Sequence, residues 1–386
     1  MKEATYIDDL LYEAIANNAT DLHISTGAPP RIRVHGELKN LPNADVTPTK
    51  AEELLKPLID LMHRSAINVS GQSDLSYSVR ELDADGNEIV EYDKDGQRIN
   101  VGKLHRFRVN IFKQKGDYAG VFRVLSVDIP HYSKLGLPHT FFNLYTKRRG
   151  LILIVGPTGS GKTTTLASFL DHINKNLCKH IITLEDPIEY QHWHSKCLVN
   201  QREIGKDCDT FADGLRAALR EDPDVILVGE MRDLETTDIA LKSAETGHLV
   251  CSTLHTLGVA DTINRIVDMY PVEHHIQIRS MLASVLEAVV SQQLIPKADG
   301  SGFIIAYEIM YKCDKIKDYI RDGKIKEIER FLNTEEAKSM NMVSMDTVIY
   351  NLYKSGKIRR SDALDYAFNR NLLEQAIIRL DNARYK

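Results

Sequence analysis

Leu151-Ile-Leu-Ile-Val155, followed directly by Gly156-Pro-Thr-Gly-Ser-Gly161-Lys162-Thr163, is the stretch of sequence that decides the fold. The continuous apolar run predicts a central strand of a parallel sheet, because such strands are covered on both faces. The next eight residues fit the pattern GxxxxGK[ST], and Thr164–Leu170 has the composition of a helix. A strand, a glycine-rich loop and a helix in this order predict a phosphate-binding loop.

This loop predicts binding of ATP together with Mg²⁺. Its glycines allow backbone N–H groups to close around phosphates, and the N-terminus of the following helix adds partial positive charge. We expect Lys162 to reach the β- and γ-phosphates and the hydroxyl of Thr163 to ligate Mg²⁺. The predicted nucleotide-binding residues are Gly156, Pro157, Thr158, Gly159, Ser160, Gly161, Lys162, Thr163 and Thr164.

Length and composition are those of an ordinary globular protein. The chain has 386 residues, a formal net charge of −5 and 43% hydrophobic residues, which predicts two or three domains. The near-neutral charge gives no general case for nucleic-acid binding, since that requires clustered Lys and Arg. No apolar run approaches the ~20 residues that span a bilayer, and acids stand where a signal peptide would be apolar. These features predict a cytoplasmic protein. The five cysteines include no CxxC pair, so we expect reduced thiols.

The pattern of residues changes near position 130. Residues 1–130 have the short, mixed elements of an N-terminal α/β domain, in which Phe107, Val109 and Ile111 alternate with polar residues like one strand. Two prolines and a glycine in Ile129–Pro138 predict a linker over 131–140. Residues 141–386 alternate apolar strands with longer helices, which predicts a parallel sheet covered by helices.

Two related segments lie inside the N-terminal region. Glu81-Leu-Asp-Ala-Asp-Gly86 is echoed by Glu91-Tyr-Asp-Lys-Asp-Gly96. Asp-Gly pairs are typical of hairpin turns, because glycine tolerates the positive φ that such turns require. Neither segment has the full ligand pattern of a calcium loop, so both predict solvated hairpin tips.

Acidic residues follow two further strand-like runs. His180–Leu184 leads into Glu185, and Asp222–Gly229 leads into Glu230. Ligands collect at the carboxyl ends of parallel strands, so both acids are expected beside the phosphate-binding loop. Glu230 is assigned to the Mg²⁺ shell with Thr163, and Glu185 to orienting the attacking water, although the two roles could be exchanged.

Two histidines bracket the strand-like run Leu249–Leu254. His255 follows its carboxyl end, where the γ-phosphate should lie, and is predicted to sense that phosphate. His248 precedes the strand, and the sequence leaves open whether it is a second functional residue or a hydrogen-bonded packing residue.

Taken in order, four segments resemble the Walker A motif, Asp box, Walker B motif and His box of the type II/type IV secretion ATPase superfamily, and within it the PilT-type twitching-motility ATPases. The segments are Gly156–Thr163, Thr183–Glu189, Glu221–Asp233 and Thr246–Thr256. Ala19–Ser25 and Gly27–Gly36 in the N-terminal region also match. The resemblance therefore covers almost the whole chain.

The resemblance implies the architecture and activity of the family. The N-terminal domain would be PAS-like, and the C-terminal domain would be a RecA-like P-loop ATPase. Six identical chains would form a ring that hydrolyses ATP with Mg²⁺, drives an inner-membrane platform protein and acts indirectly on pilin. The expected result is type IV pilus retraction, performed in the cytoplasm at the inner face of the cytoplasmic membrane and without nucleic acid.

The family also implies arginines that reach the phosphates from the N-terminal domain. The matching positions favour Arg108 and Arg123, with Arg106 in reserve. Such arginines stabilise negative charge as it spreads over the γ-phosphate oxygens. The competing interpretation is that these side chains form the solvated face of a sheet.

Two alternative functions remain at this stage. A traffic ATPase of a type IV secretion or conjugation system would share the same motifs. A regulatory module that binds ATP without turnover is disfavoured, because mere binding needs no water-orienting carboxylate. One departure bears on the direction of work: Asp314–Arg321 keeps helical spacing but lacks the Ala-Ile-Arg-Asn-Leu-Ala word of PilT-type chains.

Overall fold

The computed structural model describes residues 6–34, 36–61, 71–81, 83, 87, 89–92, 98–100, 102–125 and 128–384. The chain divides into two units. Unit 1 contains the described residues up to Asp128 together with Pro187–Gln191, and unit 2 contains Ile129–Asp186 and the described residues from His192 onward.

Unit 1 combines two helices with eight short strands in its described part. The helices are α1 (Ile7–Ala16) and α2 (Pro48–Leu61). The strands are β1 (Asp21–Ile24), β2 (Arg31–Val34), β3 (Glu37–Asn40), β4 (Gln72–Arg80), β5 (Val90–Tyr92), β6 (Arg98–Asn100), β7 (Leu104–Gln114) and β8 (Asp117–Leu125).

An antiparallel sheet with the strand order β3-β2-β1-β8-β7-β4 forms the body of unit 1. Its apolar face includes Phe107, Val109 and Ile111, which are fully buried against residues of α1 and α2. The predicted alternation along β7 is therefore confirmed. Strands β5 and β6 pair separately and antiparallel. Residues 82, 84–86 and 93–97 of the predicted Asp-Gly tips, and position 35, lie outside the described residues.

Unit 2 alternates strands and helices before ending in a helical region. Its strands are β9 (Gly150–Val155), β10 (His180–Glu185), β11 (Leu198–Glu203), β12 (Val225–Val228), β13 (Leu249–Leu254), β14 (Leu286–Pro296) and β15 (Phe303–Tyr311). Its helices are α3 (His139–Phe142), α4 (Lys162–Asn176), α5 (Phe211–Ala218), α6 (Leu234–Thr246), α7 (Val259–Asp268), α8 (His275–Val285), α9 (Asp314–Arg321), α10 (Ile325–Leu332), α11 (Glu335–Ser339), α12 (Met345–Lys354), α13 (Arg360–Asp365) and α14 (Arg370–Arg384).

The sheet of unit 2 has the strand order β11-β10-β12-β13-β9-β14-β15. Every neighbouring pair is parallel except β14 with β15. All six residues of β9 are buried, as its apolar sequence predicts, and separate apolar clusters pack on the two faces. Because β9, β10, β12 and β13 run in the same direction, their carboxyl ends meet at one edge of the sheet. This is the expected RecA-like arrangement, preceded in the chain by the N-terminal unit.

Residues 131–140, expected to link the two domains, are instead a packed part of unit 2. A 3₁₀ turn at Tyr132–Lys134 and α3 follow one another here. Leu137 joins Phe142 and Phe169 of α4 in one apolar cluster. Burial of these aromatic and aliphatic side chains favours an ordered segment over a free linker.

Other expectations can be checked against the fold. The helical spacing over Asp314–Arg321 corresponds to α9. All five cysteines are unpaired, and Cys251 is buried in β13, which raises the pKa of its thiol to about 12. Across the described residues, none of the helices has both the length and the apolar composition needed to cross a bilayer.

Candidate nucleotide-hydrolysis site

The phosphate-binding loop connects the buried strand β9 to helix α4, as its sequence predicts. Gly156 opens the loop with φ of 143°. A Cβ atom at this position would lie 2.3 Å from the carbonyl oxygen of Gln292 and 2.7 Å from Oγ of Ser160. The turn out of β9 therefore admits only glycine, because both the backbone angle and the space exclude a side chain.

Lys162 is the first residue of α4 and is buried, with 8% of its surface exposed. Its ammonium group donates to the carbonyl oxygens of Gly156 (2.8 Å) and Pro157 (3.1 Å). The positive charge is thus held inside the loop at the N-terminus of a 15-residue helix. Partial positive charge and N–H groups at such a terminus favour phosphate binding.

A chain of contacts joins three of the sequence-predicted segments at the edge of the sheet. Oγ1 of Thr158 lies 3.5 Å from Nδ1 of His255. Nε2 of the same imidazole lies 3.4 Å from Oε2 of Glu230. The phosphate-binding loop, the end of β12 and the end of β13 are therefore linked through one histidine.

Arg232 adds a further contact to Glu230, although it was not among the site residues predicted from the sequence. Its Nε donates to Oε2 of Glu230 at 2.8 Å, the oxygen that also faces His255. Arg232 stands two residues after Glu230 in a segment already matched by the family pattern. The arrangement fixes the orientation of the Glu230 carboxylate, since two nitrogen groups approach the same oxygen.

Glu185 ends β10 and is more deeply buried than Glu230. Its residue is 7% exposed, whereas the Glu230 side chain is 18% exposed. Oε1 of Glu185 accepts hydrogen bonds from Oγ1 of Thr183 (2.7 Å) and Nε2 of Gln201 (3.1 Å). Gln201 in β11 was not among the site residues predicted from the sequence. A buried carboxylate held by two donors is well defined in position, as a water-orienting base requires.

Gln292 packs against the phosphate-binding loop and was also not among the site residues predicted from the sequence. It is fully buried in β14, its carbonyl faces Gly156, and its amide Nε2 donates to Oγ1 of Thr165 in α4 at 2.9 Å. A signal was present in the sequence, because Ser291-Gln-Gln293 interrupts an otherwise apolar strand. Polar residues in a buried strand require partners.

His248 lies at the other end of β13 from His255. Its Nδ1 is 3.1 Å from the carbonyl oxygen of Ser243 in α6. The amino end of a parallel strand is the edge opposite the phosphate-binding loop. Of the two interpretations left open by the sequence, the structure favours the hydrogen-bonded packing residue.

The predicted arginines lie in unit 1. Arg108 and Arg123 are directly opposite each other in the pairing of β7 with β8, so their side chains share one face of the sheet. Nε of Arg123 donates to Oδ1 of Asp21 at 3.0 Å, and Nε of Arg108 lies 3.8 Å from Oδ1 of Asp74. The reserve candidate, Arg106, is buried and donates to the backbone oxygen of Glu189 at 3.1 Å. Contact of these arginines with phosphate stays a prediction.

The residues assigned to Mg²⁺ have suitable chemistry. Thr163 and Glu230 offer hydroxyl and carboxylate oxygens, the ligand type that Mg²⁺ prefers. Oγ of Ser160 in the same loop is buried without a hydrogen-bond partner, so a further hard oxygen faces the loop interior. Within the described residues no group of three or more His, Cys, Asp and Glu could hold a metal.

Comparison with known proteins decides the family. The family model for the type II/IV secretion system protein matches residues 3–373. The chain belongs to the type II/IV secretion system protein family. The chain is therefore an ATPase, as its phosphate-binding loop predicts.

Individual members of the secretion family are similar over most of their length. The type IV pilus retraction ATPase PilT of Pseudomonas aeruginosa is 40% identical over 361 residues, which cover 94% of this chain and 98% of that protein. A twitching motility protein of Neisseria gonorrhoeae is 40% identical over 85% of this chain and 82% of that protein. A crystal structure of the pilus retraction motor PilT with bound ADP superposes with a TM-score of 0.81 at 42% identity, covering 97% of this chain and all of the other.

Proposed function

We propose that this chain is a mechanochemical ATPase that powers type IV pilus retraction and thereby twitching motility. The observation that carries the proposal is the contact chain from Thr158 through His255 to Glu230. These contacts join the Walker A, Walker B and His box segments. The protein that carries them is similar to a pilus retraction ATPase across nearly its full length.

The site residues divide the chemistry among themselves. Lys162 and the loop amides hold the β- and γ-phosphates, with the positive end of α4 behind them. Oγ1 of Thr163 and the carboxylate of Glu230 would hold Mg²⁺, which would neutralise charge on the phosphate oxygens. Glu185 orients the attacking water and accepts its proton. Its two hydrogen bonds support this role, because they fix the carboxylate before substrate binds.

His255 is proposed to report the state of the γ-phosphate. Its two ring nitrogens face Thr158 and Glu230. Loss of the γ-phosphate would change the charge near the loop, and the imidazole would adjust its contacts with both residues. Arg108 and Arg123 are proposed to stabilise negative charge on the γ-phosphate oxygens during transfer.

The assembly and its location follow from the same family resemblance. The proposed working form is a homohexamer in the cytoplasm, peripheral to the inner face of the cytoplasmic membrane. It would act on an inner-membrane platform protein, and through that protein on pilin, without nucleic acid. The domain proposal places the N-terminal domain at 1–130 and the ATPase domain at 141–386, and the intervening residues 131–140 belong to the same compact unit as the ATPase domain.

Deletion in the native host tests the direction of work. Cells lacking the chain should carry more surface pili than wild type and should lose twitching. The wild-type chain should restore both properties, whereas Lys162→Ala should restore neither. Bald cells would show that the chain assembles pili, and unchanged piliation would favour a traffic ATPase. Either result would overturn the proposal.

A further inference from the structure

Glu308 is a buried carboxylate that plays no part in the site described above. It lies in β15 with 6% of its surface exposed. Oε1 accepts a hydrogen bond from the backbone N–H of Val259 at 2.8 Å, and Oε2 accepts one from that of Met345 at 3.4 Å. These amides belong to the first residues of α7 and α12. One carboxylate from the sheet therefore caps two helices.

Neither helix is capped by the side chain of the residue that precedes it. Gly258 precedes α7 and has no side chain. Ser344 precedes α12, but its hydroxyl donates to Oδ1 of Asn333 at 2.7 Å. The first amides of a helix lack partners within the helix, and burying them without an acceptor is costly. Glu308 supplies the acceptor to both, and its negative charge suits both N-termini.

The cap on α7 also fixes the turn that carries His255. This turn, His255–Gly258, connects β13 to α7. At Gly258 the N–H donates to Oγ of Ser291 (3.0 Å), and the carbonyl accepts from Oγ1 of Thr262 (2.7 Å). A Cβ at Gly258 would lie 3.0 Å from the ring of Phe368 and 3.5 Å from Oε1 of Glu308. The side chains of Phe368 and Glu308 therefore pack close to Gly258 at the end of the turn.

The pKa of the Glu308 carboxyl is raised to about 7, with burial as the largest cause and the neighbouring carboxylates of Glu329 and Asp346 as further causes. The hydrogen bonds from Val259 and Met345 oppose this shift. The two amides therefore offset only part of the free-energy cost of ionising this buried acid.

We propose that Glu308 is a positioning residue for His255. It holds the start of α7, and with it the turn His255–Gly258, against the start of helix α12, so that the imidazole meets Thr158 and Glu230 in one geometry. This inference rests on the proposed function in one respect, because it assumes that His255 takes part in ATP turnover.

Glu308→Gln tests the inference with little change in volume. The glutamine keeps one acceptor oxygen but places an NH₂ donor against the second backbone N–H, so one of the two caps is lost. Glu287→Gln is the matched control, since Glu287 is equally buried at 7% exposure in the neighbouring strand β14. It binds Lys147 and Lys312 and none of the residues of the turn.

Steady-state ATPase measurements on the full chain give the first readout. Glu308→Gln should lower kcat about tenfold with KM for ATP unchanged, while Glu287→Gln should leave kcat as in wild type. In a His255→Ala background, Glu308→Gln should lower kcat by no more than about twofold, because the residue it positions is gone. An equal loss in both backgrounds, an unchanged kcat, or the same loss in Glu287→Gln would each overturn the inference.

Hydrogen–deuterium exchange supplies a readout that needs no turnover. Peptides covering 255–262 should exchange faster in Glu308→Gln than in wild type, and those covering 180–185 should not. Unchanged exchange over 255–262 would overturn the inference. If Glu308→Gln does not fold, Ser291→Ala removes another anchor of the same turn, the hydroxyl bound to the N–H of Gly258, and the same results are expected.

The two proposals fail in different ways. Wild-type turnover no faster than that of Lys162→Ala would contradict the proposed function, and the exchange measurement would still decide the role of Glu308. Normal wild-type turnover with an unaffected Glu308→Gln would contradict only the inference about positioning.

Discussion

Two regions of the molecule carry the predicted functional residues, and they differ in how those residues are held. In unit 2, residues from separate segments meet one another: Thr158 contacts His255, and His255 contacts Glu230. In unit 1, Arg108 and Arg123 face acids of their own sheet, Asp74 and Asp21. The first region brings functional groups together, and the second pairs each arginine locally.

The difference teaches what each kind of sequence pattern can predict. Parallel strands place their carboxyl ends at one edge, so residues that follow separate strands are forced into one neighbourhood. Alternation along an antiparallel strand fixes the face of the sheet but not the partner of a long side chain. Changes at the two regions should therefore have different consequences.

The largest effect is expected for Glu185, the residue of unit 2 that is proposed as the general base. Glu185→Gln keeps the volume of the side chain and an acceptor oxygen but removes the carboxylate proposed to accept the proton of the attacking water. We expect kcat to fall about 10⁴-fold, the upper end for loss of a general base. ADP binding, measured by calorimetry, should stay within about twofold of wild type. Glu189→Gln, in the same loop region, should retain turnover, and a loss of ADP binding in Glu185→Gln would assign that residue to binding instead.

Arg123→Gln tests whether the arginines of unit 1 do more than pair with their own sheet. If Arg123 contacts phosphate during transfer, kcat should fall about 10³-fold, as for other arginines that stabilise this charge. Arg33→Gln is the control, because Arg33 lies 3.9 Å from the same carboxylate of Asp21.

Thermal melting separates catalysis from folding in this pair of variants. The Arg123 side chain is 67% exposed, and Thr20 still donates to Asp21 when it is removed. Both variants should thus lose little stability, since exposed ion pairs contribute little. If Arg123→Gln and Arg33→Gln have the same kcat, Arg123 has only a local structural role. The residues that matter for turnover would then lie in unit 2.

A smaller effect is expected at Arg232. Arg232→Gln removes the guanidinium that holds Oε2 of Glu230, but leaves His255 in contact with the same oxygen. We expect kcat to fall about tenfold, which corresponds to loss of one oriented partner. Arg216→Gln should be neutral, because that arginine joins only the surface acids Asp213 and Glu235. Equal rates for Arg232→Gln and wild type would remove Arg232 from the site.

The sequence predicts more of unit 2 than of unit 1. The apolar run of β9 and the loop after it fix the strand, the turn and the helix, and the acids after β10 and β12 follow from the parallel sheet. Gln292 and Arg232 could not be found in this way, because their roles depend on side-chain contacts across the sheet edge. The packing of segment 131–140 in unit 2 was also not predicted, since the linker prediction rested on two prolines and a glycine in Ile129–Pro138.

A further prediction concerns stability against pH and the hydrogen bonds behind Glu185. Burial lowers the pKa of His192 to about 4, below its ordinary value of 6.5, so His192 stays neutral in the folded chain. Its backbone N–H donates to Oε1 of Gln201, whose amide holds Glu185.

The sign follows from linkage. A histidine with a lowered folded pKa contributes stability that is fully present above pH 6.5 and is lost as pH falls toward 4, because the unfolded chain binds the proton first. The loss should be on the order of 2 kcal/mol. Urea unfolding at pH 7.5 and 5 should show a smaller acid-induced loss for His192→Gln than for wild type. Parallel losses in the two proteins would show that His192 does not titrate differently on folding.

ATP turnover by the purified full chain tests the central claim most directly. Wild type and Lys162→Ala are compared at saturating ATP and Mg²⁺, with phosphate release measured over time. The loop geometry predicts steady release by wild type and only background release by Lys162→Ala. Equal rates in the two proteins would contradict the assignment of hydrolysis to the site formed by Lys162, Glu185, Glu230 and His255.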